Sequence, residues 1–252
     1  MDLGLREKVF IVTGGSRGLG LAAAAALVAE GARVVLSARD AGELRSAAAG
    51  LGERRAAWAA ADNADPGTPQ RLVDAARREF GRLDGALISV GGPPGGAAMA
   101  ATDDAWRAAF ESVFLGAVRL SRVLGAELPE GGAMAFVLSS SVRVPIPALA
   151  ISNGLRPGLA GWAKTLADEL GPRGVRVVGL LPGKMATGRV RELDARHGDP
   201  DEVRAANSQT IPLRRYGEPA EFGTVAAFVL SPAASYLTGV MIPVDGGFLP
   251  AI

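Results

Sequence analysis

The chain has 252 residues, with 27 Lys and Arg against 26 Asp and Glu, one His, 34 Gly, 16 Pro and no Cys. That length suits one α/β unit with a large core, and a net charge of +1 supplies no global field toward nucleic acid or an anionic membrane. Zero Cys excludes disulfides, cysteine zinc sites and a thiol nucleophile, and a lone His197 excludes metal centres built on several histidines.

Short apolar runs then alternate with helical stretches. Val9–Thr13 reads as a strand running into glycines, and Gly20–Glu30 as an Ala-rich helix. Arg33–Ser37 is a second strand, Ala41–Ala49 a helix, Arg55–Ala61 a third strand, and Pro69–Phe80 a helix with Pro near its start. Ala86–Val90 is a buried run closed by the glycine-proline segment Gly91–Gly96. Thr102 and Asp103 predict the cap of a long helix over Asp104–Gly125. Strands at Met134–Leu138, Val175–Leu181 and Val240–Val244 then alternate with helices at Leu159–Leu170 and Phe222–Leu230. The pattern predicts parallel βαβ units in a doubly wound, Rossmann-like sheet, a three-layer α/β sandwich spanning 1–252 as one domain. Ligands in such sheets bind beyond the carboxyl ends of the strands, so chemistry is expected after Val12, Leu36, Ala60, Val90, Leu138 and Leu181. The opening MDLGLREKVF puts charge where a signal core would stand, and Leu21–Ala29 is too short to cross a bilayer. A soluble, cytoplasmic protein is expected, with no nucleic-acid or membrane partner.

Thr13-Gly-Gly-Ser-Arg-Gly-Leu-Gly20 joins the first strand to the first helix. Glycines here let the backbone turn tightly and approach a pyrophosphate, which the helix N-terminus then stabilises; Gly14, Ser16, Arg17, Gly18 and Leu19 are the candidate contacts. The acidic residue that would hold a ribose 2′-hydroxyl is missing, since Ala38 falls at its position. Arg39 and Arg17 can instead clamp a 2′-phosphate, which points to NADP(H) over NAD(H).

These residues resemble the short-chain dehydrogenase/reductase family, particularly its 3-oxoacyl-carrier-protein-reductase-like members, over about Lys8 to Phe248. TGGSRGLG matches the family's TGxxxGxG; Asp62, with Asn63 after it, matches the adenine-contacting Asp. Pro182-Gly183 with Thr187 matches the segment that holds the nicotinamide, and Pro212–Pro219 with Tyr236–Gly247 matches the C-terminal pattern. The family's fourth-strand NNAG has become Ser89-Val90-Gly91 preceded by Ile88.

The family's Asn, Ser, Tyr and Lys do not carry over. Tyr occurs only at 216 and 236, neither followed by Lys four residues later. A second family Lys commonly follows the first by eight residues; counting back from Lys164 gives Arg156, four earlier Ser152, which lies at the usual family separation from Ser139. Trp106 anchors Val113 at the Asn position. The set becomes Val113, Ser139, Ser152 and Arg156, with Ser140 and Ser141 as alternatives to Ser139. Ser152 is a poorer acid than Tyr and shorter; Arg156 can hold the cofactor ribose but does not give up its proton. Ser152 and Arg156 are i, i+4 and share a face if helical, but Pro157 disfavours helical dihedrals at Arg156; the alternative is a helix that begins at Pro157 with Arg156 in a loop.

The resemblance implies an NADPH-dependent ketoreductase acting on a small-molecule carbonyl through an unusual proton source: bound water, Lys184 or an acidic substrate hydroxyl. The alternatives are a cofactor-binding sensor or partner subunit, and a dehydratase or epimerase using the same pocket. It further implies a substrate lid at about 184–212 and a homotetramer or homodimer. The short Ser152 leaves room for a bulky or polycyclic ketone. No metal is expected, and His197 reads as a solvated residue.

Overall fold

The computed structural model of the chain describes residues 1–250. Its strands are β1 Val9–Thr13, β2 Arg33–Ala38, β3 Ala56–Ala60, β4 Gly85–Ile88, β5 Ala133–Val137, β6 Arg176–Pro182 and β7 Met241–Val244. They form one parallel sheet in the order β3-β2-β1-β4-β5-β6-β7. The chain reverses direction across the sheet between β1 and β4, which opens a crevice at their carboxyl ends.

The helices are α1 Gly18–Ala29, α2 Ala41–Leu51, α3 Thr68–Phe80, α4 Asp103–Ala109, α5 Gly116–Glu127, α6 Ala150–Leu170, α7 Gly188–Asp194, α8 Pro200–Ser208 and α9 Pro219–Leu230. Because successive strand side chains point to opposite faces, every residue of a central strand serves a core. In β1, Val9 and Ile11 pack with α3, α5 and α6, whereas Phe10 and Val12 pack with α1, α2 and α9. That double burial explains why the strands read as continuous rather than alternating apolar runs. Alanines let α1 lie close to α9: a Cβ on Gly223 would stand 2.5 Å from the Ala22 carbonyl.

Three features differ from the sequence reading. The predicted helix over 104–125 is interrupted by a π-helical segment, Phe110–Leu115, between α4 and α5. Of the two starts left open for the next helix, that at Pro157 is excluded: α6 begins at Ala150 and contains Ser152, Arg156 and Pro157. The proline removes one N–H, but the first turns are held from outside. Asn153 donates from Nδ2 to the Ile146 carbonyl (2.8 Å) and accepts from the Ile146 amide (3.1 Å), while Leu155 and Arg156 are buried. Finally, the segment predicted as a lid contains α7 and α8. Their caps, Thr187 and Asp199 followed by Pro200, were readable, but a mostly charged surface hid the helical period.

Candidate functional site

The glycine loop crosses the top of the sheet where β1 meets β4. Thr13 Oγ1 donates to the Ser89 carbonyl (3.0 Å) and accepts from the Ser89 amide (2.8 Å), tying the two strand ends together. Gly14 lies against that junction with φ of +59°, and a Cβ there would meet the Ser89 carbonyl at 2.9 Å. Gly18 also has positive φ (+58°) and opens α1, whose first turn carries no acidic residue and whose N-cap Arg17 makes no side-chain cap. The first amides of α1 are thus free to face an anion, and the glycines leave the space a pyrophosphate needs. The residues present fit a dinucleotide.

Around this loop, Leu19 is half-buried against the core, and Arg17 and Arg39 are exposed with no ion-pair partner among the described residues. Ser16 Oγ donates to Glu43 Oε2 at 3.0 Å. Sequence reading missed Glu43, a carboxylate in the first turn of α2 beside the loop; its position four residues past Arg39 was the available signal. Asp62 is exposed and accepts from the Ala64 amide (2.9 Å), and the Asn63 carbonyl abuts Gly116, where a Cβ would approach to 2.5 Å.

The ends of β4, β5 and β6 hold the second half of the site. Val90 is buried; Gly91 follows with φ of +56°. Arg156 reaches from α6 into this junction, donating from Nη1 to the Val137 carbonyl (2.7 Å) and from Nη2 to the Gly91 carbonyl (2.5 Å). Its Nε is buried without a partner, and no carboxylate faces the guanidinium among the described residues. Burial pulls this arginine down to about 10, so it remains a cation at neutral pH.

The three adjacent serines have separate duties. Ser140 Oγ donates to the Pro182 carbonyl (3.0 Å), joining the ends of β5 and β6. Ser139 Oγ accepts from the Ser141 amide (3.1 Å), which leaves its proton for an acceptor in the crevice. Ser141 Oγ is buried without a partner. Ser152 lies one turn before Arg156 on α6, is largely buried, and makes no side-chain hydrogen bond among the described residues. Val113 is buried in the apolar core within the π-helical segment.

Beyond β6, Gly183 packs against Asp245, and a Cβ there would stand 2.6 Å from that residue's own Cβ. Thr187 caps α7 through its Oγ1 and places its methyl 3.8 Å from the Cβ position of Gly18, so the segment after β6 approaches the glycine loop. Lys184 is drawn into a polar network with buried Asp194 and Tyr216. Its Nζ lies 3.9 Å from Asp194 Oδ1 and 5.7 Å from the centroid of Tyr216. Tyr216 donates to Asp194 Oδ2 (2.9 Å) and accepts from Asn207 Nδ2 (2.9 Å). Burial lowers Lys184, an effect the Asp194 charge opposes, and pushes Tyr216 up to about 12. The other tyrosine, Tyr236, is fully exposed. Neither tyrosine hydrogen-bonds Ser139, Ser152 or Arg156. His197 is exposed, and among the described residues there is no metal-binding cluster and no helix long and apolar enough to cross a membrane.

A fold of this order with a glycine loop at the β1–β4 crevice is that of dinucleotide-binding α/β proteins, and comparison with known proteins narrows it to one family. Residues 14–249 match the family model described as enoyl-(acyl carrier protein) reductase. An uncharacterized oxidoreductase of Mycobacterium tuberculosis is 36% identical over 248 residues, covering 96% of this chain and 92% of the relative. Among solved structures, L-sorbose reductase of Gluconobacter frateurii, complexed with NADPH and L-sorbose, superposes with a TM-score of 0.93 at 32% identity over 100% of both chains. An NADPH-bound short chain oxidoreductase of Pseudomonas aeruginosa, described as containing an atypical catalytic center, gives a TM-score of 0.90 at 30% identity over 98% of each. The chain belongs to the short-chain dehydrogenase/reductase family and is an oxidoreductase of that type.

Proposed function

We propose that the protein is an NADP(H)-dependent reductase of a small-molecule carbonyl in which neither tyrosine supplies the proton. The observation that carries this reading is the buried Arg156 cation, one helical turn from Ser152 and held by the Val137 carbonyl at the end of β5 and the Gly91 carbonyl in the loop after β4, while both tyrosines are engaged or exposed elsewhere. Arg17 and Arg39 hold the 2′-phosphate, the α1 amides the pyrophosphate, and the Pro182–Thr187 segment the nicotinamide side. The cofactor, when bound, supplies hydride to the carbonyl carbon. Ser139 donates its free proton as a hydrogen bond to the carbonyl oxygen. Arg156 stabilises the negative charge that develops there, in a site where a fixed charge needs no reorganisation. Ser152 is too short to replace a phenol directly but can hold a water that delivers the proton; with Lys184 occupied by Asp194, water is the favoured source. The segment at about 184–212 serves as the substrate lid.

The test pairs two measurements on purified protein. NADPH binding is followed by fluorescence, then NADPH oxidation against ketones, quinones and 3-oxoacyl thioesters. Binding with turnover that falls in both Ser139→Ala and Ser152→Ala supports the reading. Turnover that is lost in Lys184→Ala and kept in Ser152→Ala moves the proton source to Lys184. Binding without turnover favours a sensor, a partner subunit or a dehydratase-type reaction, for which the engaged tyrosines also argue. No binding overturns the reading.

A further inference from the structure

Three guanidinium groups address one uncharged loop. Arg156 binds the Gly91 carbonyl from beneath. Arg189, from α7, donates to the Pro93 carbonyl (2.9 Å) and packs 3.5 Å from the Cβ position of Gly92. Arg196 brings Nη1 to 3.5 Å from the Cβ position of Gly95. The loop itself is held in place by the Gly96 amide on the Ala148 carbonyl (2.7 Å) and the Ala150 amide on the Gly96 carbonyl (3.3 Å). It therefore forms one wall with the segment that carries Ser139, and that segment adds the exposed Arg143.

The acidic groups do not balance this wall. Residues 89–101 carry no charge, and residues 139–149 carry only Arg143. Glu192 lies 4.0 Å from Arg189 and is itself exposed. Asp194 is consumed by Lys184 and Tyr216, and Asp245 caps the amides of Gly247 and Leu249. Arg143, Arg156 and Arg196 have no ion-pair partner among the described residues. With a net charge of +1 over the whole chain, this is a local concentration of positive charge. A local surplus of one sign attracts the opposite charge, and guanidinium forks match carboxylate and phosphate oxygens.

We propose that the carbonyl substrate carries an anionic group, a carboxylate or a phosphate, which the lid arginines Arg189 and Arg196 receive over the Gly91–Gly96 loop. This rests on the reductase reading above and adds the substrate class to it. The experiment compares matched pairs on the NADPH-loaded protein: acetoacetate with methyl acetoacetate, a bulkier aryl 3-oxo acid with its methyl ester, and dihydroxyacetone phosphate with dihydroxyacetone. The expected result is at least a tenfold advantage in kcat/KM for the anionic member of one pair. That advantage should shrink to about twofold in Arg189→Gln/Arg196→Gln and between 50 and 300 mM salt, with NADPH affinity unchanged. The first two pairs read a carboxylate, the third a phosphate.

Where no pair turns over, the same compounds are tested as ligands of the NADP⁺-loaded protein by thermal shift. Selective binding of the anions, lost in the double variant, supports the charge proposal while the reductase reading fails. The proposal is overturned if neutral members match or exceed the anionic ones in both assays. It is also overturned if the double variant weakens NADPH and leaves the charge preference intact, which would make these arginines cofactor ligands.

Discussion

Two arginines are buried in this molecule, one at each end of the sheet, and they are solved differently. Arg176, at the start of β6, spreads its guanidinium over the Val229 (2.8 Å), Ser231 (2.8 Å) and Leu237 (3.3 Å) carbonyls. Val229 and Ser231 lie at the C-terminus of α9, where the helix dipole already favours a cation. Both of its terminal nitrogens are engaged by carbonyls. Arg156, at the opposite end, meets two carbonyls and retains an unpartnered Nε. The same device closes the end of a helix at Arg176 and ties the end of β5 to the loop after β4 at Arg156. A buried arginine is therefore no functional signal by itself; its place in the sheet separates the two.

Exchange of each arginine is the sharpest way to break that comparison. Arg156→Met should lower kcat by about 10²–10³-fold, the cost of removing an electrostatic stabiliser. It also leaves two carbonyls without donors, at about 1–3 kcal/mol each. Arg176→Met should cost comparable stability, several degrees in Tm at about 2–4 °C per kcal/mol, yet leave kcat per folded molecule within about twofold. Equal loss of kcat in both would make Arg156 a structural group and remove the distinction. Steady-state kinetics and thermal melts read both variants.

A third arginine, exposed Arg39, tests the cofactor half. Arg39→Asp should weaken NADPH by about 10–100-fold, the worth of a charge-assisted hydrogen bond, with little change for NADH. Unchanged discrimination in fluorescence titrations would mean that the 2′-phosphate is held elsewhere. Glu43→Gln, next to Ser16, should shift preference modestly toward NADPH by removing a nearby negative charge.

The Tyr216 network gives a pH signature unrelated to the crevice. Its folded value near 12 lies above the ordinary 10, so the unfolded chain loses the proton first. The contribution of this group is full below pH 10 and is lost as pH rises toward 12. Tyr216→Phe should flatten stability over that window in chemical denaturation, and persistence of the slope would assign it to other groups. The smallest effect is expected at Gly50, within α2 and with no atom within 4 Å of its Cβ position: Gly50→Ala should stabilise by about 0.4–1 kcal/mol. By contrast, Gly20→Ala drives a Cβ into the Gly14 carbonyl and should abolish NADPH binding.

The alternation of strands and helices and the glycine loop were legible because they depend on local periodicity and spacing along the chain, whereas residues 139, 152 and 156 were singled out by the family resemblance. A strand buried on both faces must be apolar throughout, and a backbone turning at Gly14 and Gly18 must avoid Cβ atoms. Local rules failed at Pro157, where Asn153 and the burial of Leu155 and Arg156 keep α6 helical past a residue that disfavours it. They were silent on which of three consecutive serines commits its proton to the fold, because Ser140 donates to the Pro182 carbonyl, forty-two residues away. Lys184 was readable as a cation near the nicotinamide segment, but its capture by Asp194 depends on α7 folding back beside Tyr216. Sequence by itself determined the sheet, the dinucleotide cradle and the residue types at its mouth. Tertiary structure decided which polar groups are consumed by one another and which are left for a ligand, because hydrogen bonds and ion pairs between distant segments have no period along the chain.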